Sequence, residues 1–137
     1  MTRAEVVAFM RRQRYAAQAA VAVSGQPQAA VVGIAVSDDA ELVFDTLAST
    51  RKCANLRRDP RVAFVLWEGE RTVQYEGVAD EPRGPELARC KALYFQCFPD
   101  GPTRESWPGI TYFRVRPTWI RFSDYGGPEP VIIELAL

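Results

Sequence analysis

Phe44-Asp45-Thr46-Leu47-Ala48-Ser49-Thr50-Arg51-Lys52 carries the end of a strand and the start of a helix within nine residues. A strand through Leu42-Val43-Phe44 ends in hydroxyl residues, and a helical pattern then runs from about Thr50 to Arg58, where Asp59-Pro60 stops it. Ser49 is the expected N-cap. Two cations, Arg51 and Lys52, sit in the first turn. Cations there oppose the helix dipole, which favours anions at this end by about 0.3–1 kcal/mol each. Two readings fit these residue types. A phosphate could collect the free N–H groups of residues 50 to 52, the hydroxyls of Thr46, Ser49 and Thr50, and both charges. Alternatively, Arg51 and Lys52 are solvated and Ser49 merely caps a helix.

Working outward, Thr2 and Glu5 form a T-x-x-E capping box ahead of Val6, Phe9 and Met10, which predicts a first helix ending near Arg14. Tyr15 to Ser24 and Gln28 to Ser37 read as strands joined by the turn Gly25-Gln26-Pro27, and Ser37-Asp38-Asp39-Ala40 turns the chain into Leu42. Beyond the helix, Val62 to Trp67 and Thr72 to Ala79 form a second hairpin about Glu68-Gly69-Glu70. Leu87, Cys90, Leu93, Tyr94 and Cys97 recur at helical spacing between Glu86 and Phe98. Ile110 to Ser123 is a long strand that Pro117 must bend or force to an edge, and Val131 to Leu135 is a last strand. Strands in sequential hairpins with three short helices predict an antiparallel barrel or sandwich, since a parallel sheet needs a helix after every strand.

Composition narrows the function. The 137 residues fit a single domain spanning 1–137. Seventeen basic and seventeen acidic side chains balance, which speaks against nucleic acid as the main partner. Arg11-Arg12-Gln13-Arg14 and Arg57-Arg58 then read as solvated cations at helix C-termini. The absence of histidine excludes imidazole-activated nucleophiles, histidine-ligated zinc or haem, and a histidine pH switch. No apolar run is long enough for a membrane span and the first residues do not resemble a signal peptide, so the expected compartment is the cytoplasm. Cys53, Cys90 and Cys97 lack metal-ligand spacing, and no metal is expected. On one helix, Cys90 and Cys97 would share a face about 10 Å apart, too far to bridge, so all three read as small buried hydrophobes.

Taken in order, Gly25-Gln26-Pro27, Val43-Phe44-Asp45-Thr46, Ser49-Thr50-Arg51-Lys52, Asn55-Leu56-Arg57-Arg58-Asp59-Pro60-Arg61-Val62 and Tyr75-Glu76-Gly77-Val78-Ala79 resemble the pyridoxamine 5'-phosphate oxidase-like family of FMN-binding split barrels. The resemblance covers residues 5 to 125. It implies a mainly β (α+β) fold, an antiparallel six-stranded split β-barrel of the FMN-binding type. It also implies a homodimer with two FMN sites at the subunit interface. The strand matching Ala30 to Ile34 would lie along the flavin ring, with the backbone of Val31, Val32 and Gly33 facing it. Thr46, Ser49, Thr50, Arg51 and Lys52 would hold the phosphate and ribityl chain. Thr72 or Gln74 would contribute from the next strand pair. The partner subunit would contribute from the regions of Ser106-Trp107 and of Trp119, Arg121 and Ser123. The small residues Ala29, Ala30, Gly33 and Ala35 suit close approach by a ligand, or are simply small core positions.

The chain departs from the vitamin oxidases of the family. Their Arg and Lys along the flavin match Ala30 and Ala35 here, a Gln stands where Thr72 does, and their Arg and His pair for the substrate phosphate has no counterpart. Haem-degrading relatives on the fold use histidine. The resemblance therefore implies an FMN-binding oxidoreductase acting on a small-molecule substrate other than the vitamin. The alternatives are a deazaflavin-dependent reductase, with Arg57 and Arg58 adding cations for a longer tail, and a non-catalytic flavin-binding module. Catalytic residues are not assigned, because hydride transfer would belong to the cofactor.

Overall fold

Thr2 opens the chain as its sequence predicts. Its hydroxyl accepts the Glu5 amide while the Glu5 carboxylate accepts the Thr2 amide, and α1 (Arg3–Arg12) buries Val6, Val7, Phe9 and Met10. The computed structural model describes residues 1–137. Hairpin β1 (Tyr15–Val21) and β2 (Pro27–Gly33) follows, with Gly25 at φ +87° in the turn. The chain continues through β3 (Ala35–Val36), β4 (Leu42–Leu47), α2 (Arg51–Arg58), β5 (Arg61–Glu68) and β6 (Arg71–Asp80). Helices α3 (Gly84–Cys97) and α4 (Gly101–Arg104) precede β7 (Ile110–Asp124) and β8 (Val131–Glu134).

All strand pairs are antiparallel, in the order β2-β1-β5-β6-β7-β4-β3, with β8 on β7. The fold is the expected antiparallel split barrel, with eight strands where the residues read as seven and the resemblance implied six. One added strand arises because Gln28 to Ser37, read as one strand, changes partner at Ile34: Pro27–Gly33 pairs β1, whereas Ala35–Val36 pairs β4. The two ends of the sheet are thus joined by one extended segment. Ile34 itself bonds back to the Arg14 carbonyl at 3.0 Å. All of β2 therefore pairs only with β1, and the other edge of its first half is left open towards α2.

Pro117 stands at a bulge of β7 that is also a locally open edge, since β4 pairs residues 110–115, β8 pairs residues 121–124, and β6 is the only partner strand between them. The register of β6 against β7 shifts at Glu76/Gly77, and a Cβ on Gly77 would stand 2.5 Å from the Arg116 carbonyl oxygen, so only glycine fits the bulge. Helix α4 is a single turn that the sequence patterns did not predict. Cys53 and Cys90 are buried, but Cys97, at the last turn of α3, is exposed.

Side chains alternate across the sheet. The inward row Gln18–Phe64–Tyr75–Ile120 is buried and belongs, except for Gln18, to the 30-residue apolar cluster. The outward row Val31–Ala17–Val65–Gln74–Arg121 lies on the opposite face. No helix is long and apolar enough to cross a membrane.

Candidate functional site

The open edge of β2 and the start of α2 enclose a cavity of about 580 Å³. Its floor is the inward phase of β1 and β2: Gln18 and Ala20 with their neighbours Ala30 and Gln28. Thr50, Arg51, Lys52 and Asn55 form the facing wall, and Gln26 and Pro27 stand at one end. A volume of this size suits a small-molecule site.

The wall is built from the stretch at residues 44–52, with one correction. Thr50, not Ser49, caps α2: its hydroxyl accepts the Cys53 amide at 3.3 Å and donates to the Leu47 carbonyl at 2.8 Å. Ser49 is exposed and lies off the cavity. The cap falls one residue later because the Thr50 amide is already used, donating to Leu47 O at 3.0 Å. The amides of Arg51 and Lys52 have no acceptor within the chain. Thr46 stands behind Thr50, the two hydroxyls 3.0 Å apart, and supports the wall without lining it.

The cations are unmatched. Arg51 and Lys52 form no ion pair, and α2 has no acidic residue in its first turn. At the other end of the helix Arg57 is bidentate to Glu81, at 2.9 and 3.0 Å, which holds the Glu81 carboxyl below its usual range. Arg58 donates to the Val21 carbonyl. Burial raises the thiol of Cys53, on the buried side of α2, so it is a packing group rather than a thiolate.

The remaining predicted site residues are not brought to this cavity within one subunit. Val31 is two-thirds exposed on the outer face, Val32 is in the core, and the missing side chain of Gly33 makes room for the Phe98 ring, 2.6 Å from a built Cβ. Gly33 is thus small for a protein neighbour. Thr72 and Gln74 are on the outer face of β6. Trp107 is half exposed in the loop after α4. The two helices before that loop are held to β4 by Asp45, which accepts from Arg104 of α4 at 3.0 Å and Tyr94 of α3 at 3.1 Å; burial and Asp45 raise the Tyr94 hydroxyl.

Sequence reasoning missed Gln18, Gln28 and Asn55. The signal was present for Gln18, a polar residue in the inward phase of Ala16-Ala17-Gln18-Ala19-Ala20.

A family model described as pyridoxamine 5'-phosphate oxidase matches residues 2–124. The chain belongs to this family. No protein of curated function is significantly similar. Among solved structures, a heme binding protein from Mycobacterium smegmatis superposes with TM-score 0.84 at 20% identity, over 97% of this chain. This chain spans only 57% of that protein's length. A conserved hypothetical protein from Mycobacterium tuberculosis matches with TM-score 0.78 at 28% identity, over 100% of this chain and 92% of the other. An F420 reductase matches with TM-score 0.64 at 21% identity, over 82% and 93%. The first and third likenesses establish the shared pyridoxamine 5'-phosphate oxidase-like fold.

Proposed function

We propose that the cavity holds the phosphate end of FMN and that the protein is a flavin-dependent oxidoreductase of the pyridoxamine 5'-phosphate oxidase family. The observation that carries this reading is the pairing of two unmatched cations, Arg51 and Lys52, with two free backbone amides on one cavity wall. That donor set fits a phosphate monoester, because charge-assisted bonds and the helix dipole add in the same direction. Arg51 and Lys52 would hold the phosphate, with Thr50 and Thr46 fixing the wall behind it. Bound flavin would supply hydride transfer, and the chain would orient it and exclude water.

A deazaflavin is the second reading, favoured by the F420 reductase among the structural neighbours. The cavity favours the shorter tail. Arg57, expected to add a cation, is occupied by Glu81, and neither it nor Arg58 lines the cavity. Haem-binding neighbours share the fold, but this chain has no histidine to serve as an axial ligand.

The outer sheet face supports a homodimer. Val31, Val65, Trp67 and Val78 are each at least 40% exposed there, and Nε of Arg121 is sealed from solvent without a partner. A second copy on this face would cover the apolar patch and bring Thr72, Gln74 and Trp107 into reach of cofactor sites at the interface. Free cysteines without a disulfide suit the reducing cytoplasm.

The test is to purify the protein, record its visible spectrum, denature it and weigh the released molecule. The expected result is FMN, bleached anaerobically by reduced nicotinamide, on a particle sedimenting as a dimer that Val65→Glu splits. A protein that binds neither FMN nor deazaflavin overturns the proposal. Flavin that no donor bleaches leaves a binding module in place of an enzyme.

A further inference from the structure

Gln18 is 2% exposed, and its side-chain Nε2 is sealed from solvent with no hydrogen-bond partner. Its cross-strand neighbours, Ala30 on β2 and Phe64 on β5, have no polar side-chain atom. Leaving a buried amide donor unpaired destabilises the fold, so such a group calls for a partner from outside the chain. The other carboxamides of the cavity differ. Gln28 Oε1 accepts Asn55 Nδ2 at 2.7 Å, and Asn55 Oδ1 accepts from Arg58 at 3.5 Å. Gln18 alone among them is buried, on the floor and unsatisfied.

We infer that Gln18 is a ligand-contacting residue that hydrogen-bonds a hydroxyl of the sugar-alcohol chain carrying the phosphate. The inference rests on the phosphate reading of the cavity given above. Three features select a hydroxyl. The phosphate is served by the opposite wall, where both cations stand. The floor beside Gln18 is lined by the small side chains Ala20 and Ala30, leaving width for a chain to lie against it. Rotation about the last side-chain torsion presents either Nε2 or Oε1, and a hydroxyl answers both because it donates and accepts.

The experiment titrates wild type, Gln18→Leu and Gln18→Met with FMN, lumiflavin (the ring alone) and ribitol 5-phosphate (the chain alone), and melts each protein without ligand. Both variants keep the volume and remove the amide. The expected result is affinity for FMN and ribitol 5-phosphate weakened about fivefold to tenfold, lumiflavin unchanged, and a melting temperature equal to or above wild type. Unchanged FMN affinity in both variants overturns the role of Gln18 and leaves the flavin proposal standing. An equal loss for lumiflavin overturns it in favour of a ring contact, and loss of affinity with a lowered melting temperature in both variants overturns it in favour of packing. Wild type that binds ribitol 5-phosphate through Gln18 but not FMN overturns the flavin proposal and keeps this one. Wild type that binds neither overturns both.

Discussion

Arg114 and the pair Arg51 and Lys52 are cations treated in opposite ways by the same fold. Arg114 is 4% exposed on β7, and its guanidinium is bidentate to Asp80 at 3.0 and 2.6 Å and bonded to Glu86 at 2.6 Å. Those bonds, led by the one to Asp80, push its pKa still higher. Arg51 and Lys52 stand beside a cavity with no carboxylate at all. The difference separates cations that complete the protein from cations that await something outside it. A buried charge must be matched by the chain or the fold does not hold, whereas a cation on a cavity wall can wait in water for an anion.

The largest expected effect comes from unmatching the first group. Asp80→Ala with Glu86→Ala strands the Arg114 guanidinium. This should cost about 3 kcal/mol, the low end for a broken buried pair because water can enter where the half-exposed carboxylates stood. A urea titration reads it, and FMN affinity per folded molecule should not change. A loss below about 1 kcal/mol would mean that Arg114 is solvated after all.

Arg51→Ala with Lys52→Ala should do the reverse. FMN binding should weaken at least tenfold, since each charge-assisted bond is worth about 1.5–3 kcal/mol. The ligand-free protein should be as stable as wild type or slightly more so, because two charges opposing the helix dipole are gone. Unchanged affinity would move the phosphate to another surface and dissolve the contrast with Arg114.

That contrast was half legible in the sequence. The unmatched pair stood out because Arg51 and Lys52 break a local rule about helix ends, and local rules depend on neighbours in the chain. The matched cation did not, since Asp80, Glu86 and Arg114 meet only through β6, α3 and β7. The same limit explains the fold. Hairpins and capped helices were readable from short spacings, but the partner change at Ile34 was not, because both of its halves look equally like strand. Gly33 reads equally as room for a ligand or as a small core position, and the neighbour that fills its missing side chain, Phe98, is 65 residues along the chain and invisible to any local pattern. Gln18 was passed over although its inward phase could be counted.

Thr50 stands between the two groups, because it serves fold and cavity together. Thr50→Ala should cost about 1 kcal/mol through the lost cap, whereas Ser49→Ala should change stability by less than about 0.5 kcal/mol. Thermal melts of the two variants check this. Equal losses would return the cap to Ser49 and shift the free amides one residue towards the N-terminus.

The smallest expected effect lies at the far end of α2, where Arg57 and Glu81 form a matched pair in water. The Glu81 carboxyl is held below its ordinary value of 4.5, first by the hydrogen bonds from Arg57. A carboxyl depressed in the folded state adds stability that is present above its unfolded value and lost as the pH falls through the folded one. Comparing wild type with Glu81→Gln, the difference at pH 7 should be a few tenths of a kcal/mol, since the pair is exposed. It should vanish on acidification below pH 4.5, while FMN affinity at pH 7 stays the same in both. A tenfold loss of FMN affinity in Glu81→Gln would instead tie Arg57 to the ligand. The two ends of α2 would then act on one anion, and the longer deazaflavin tail would become the better occupant.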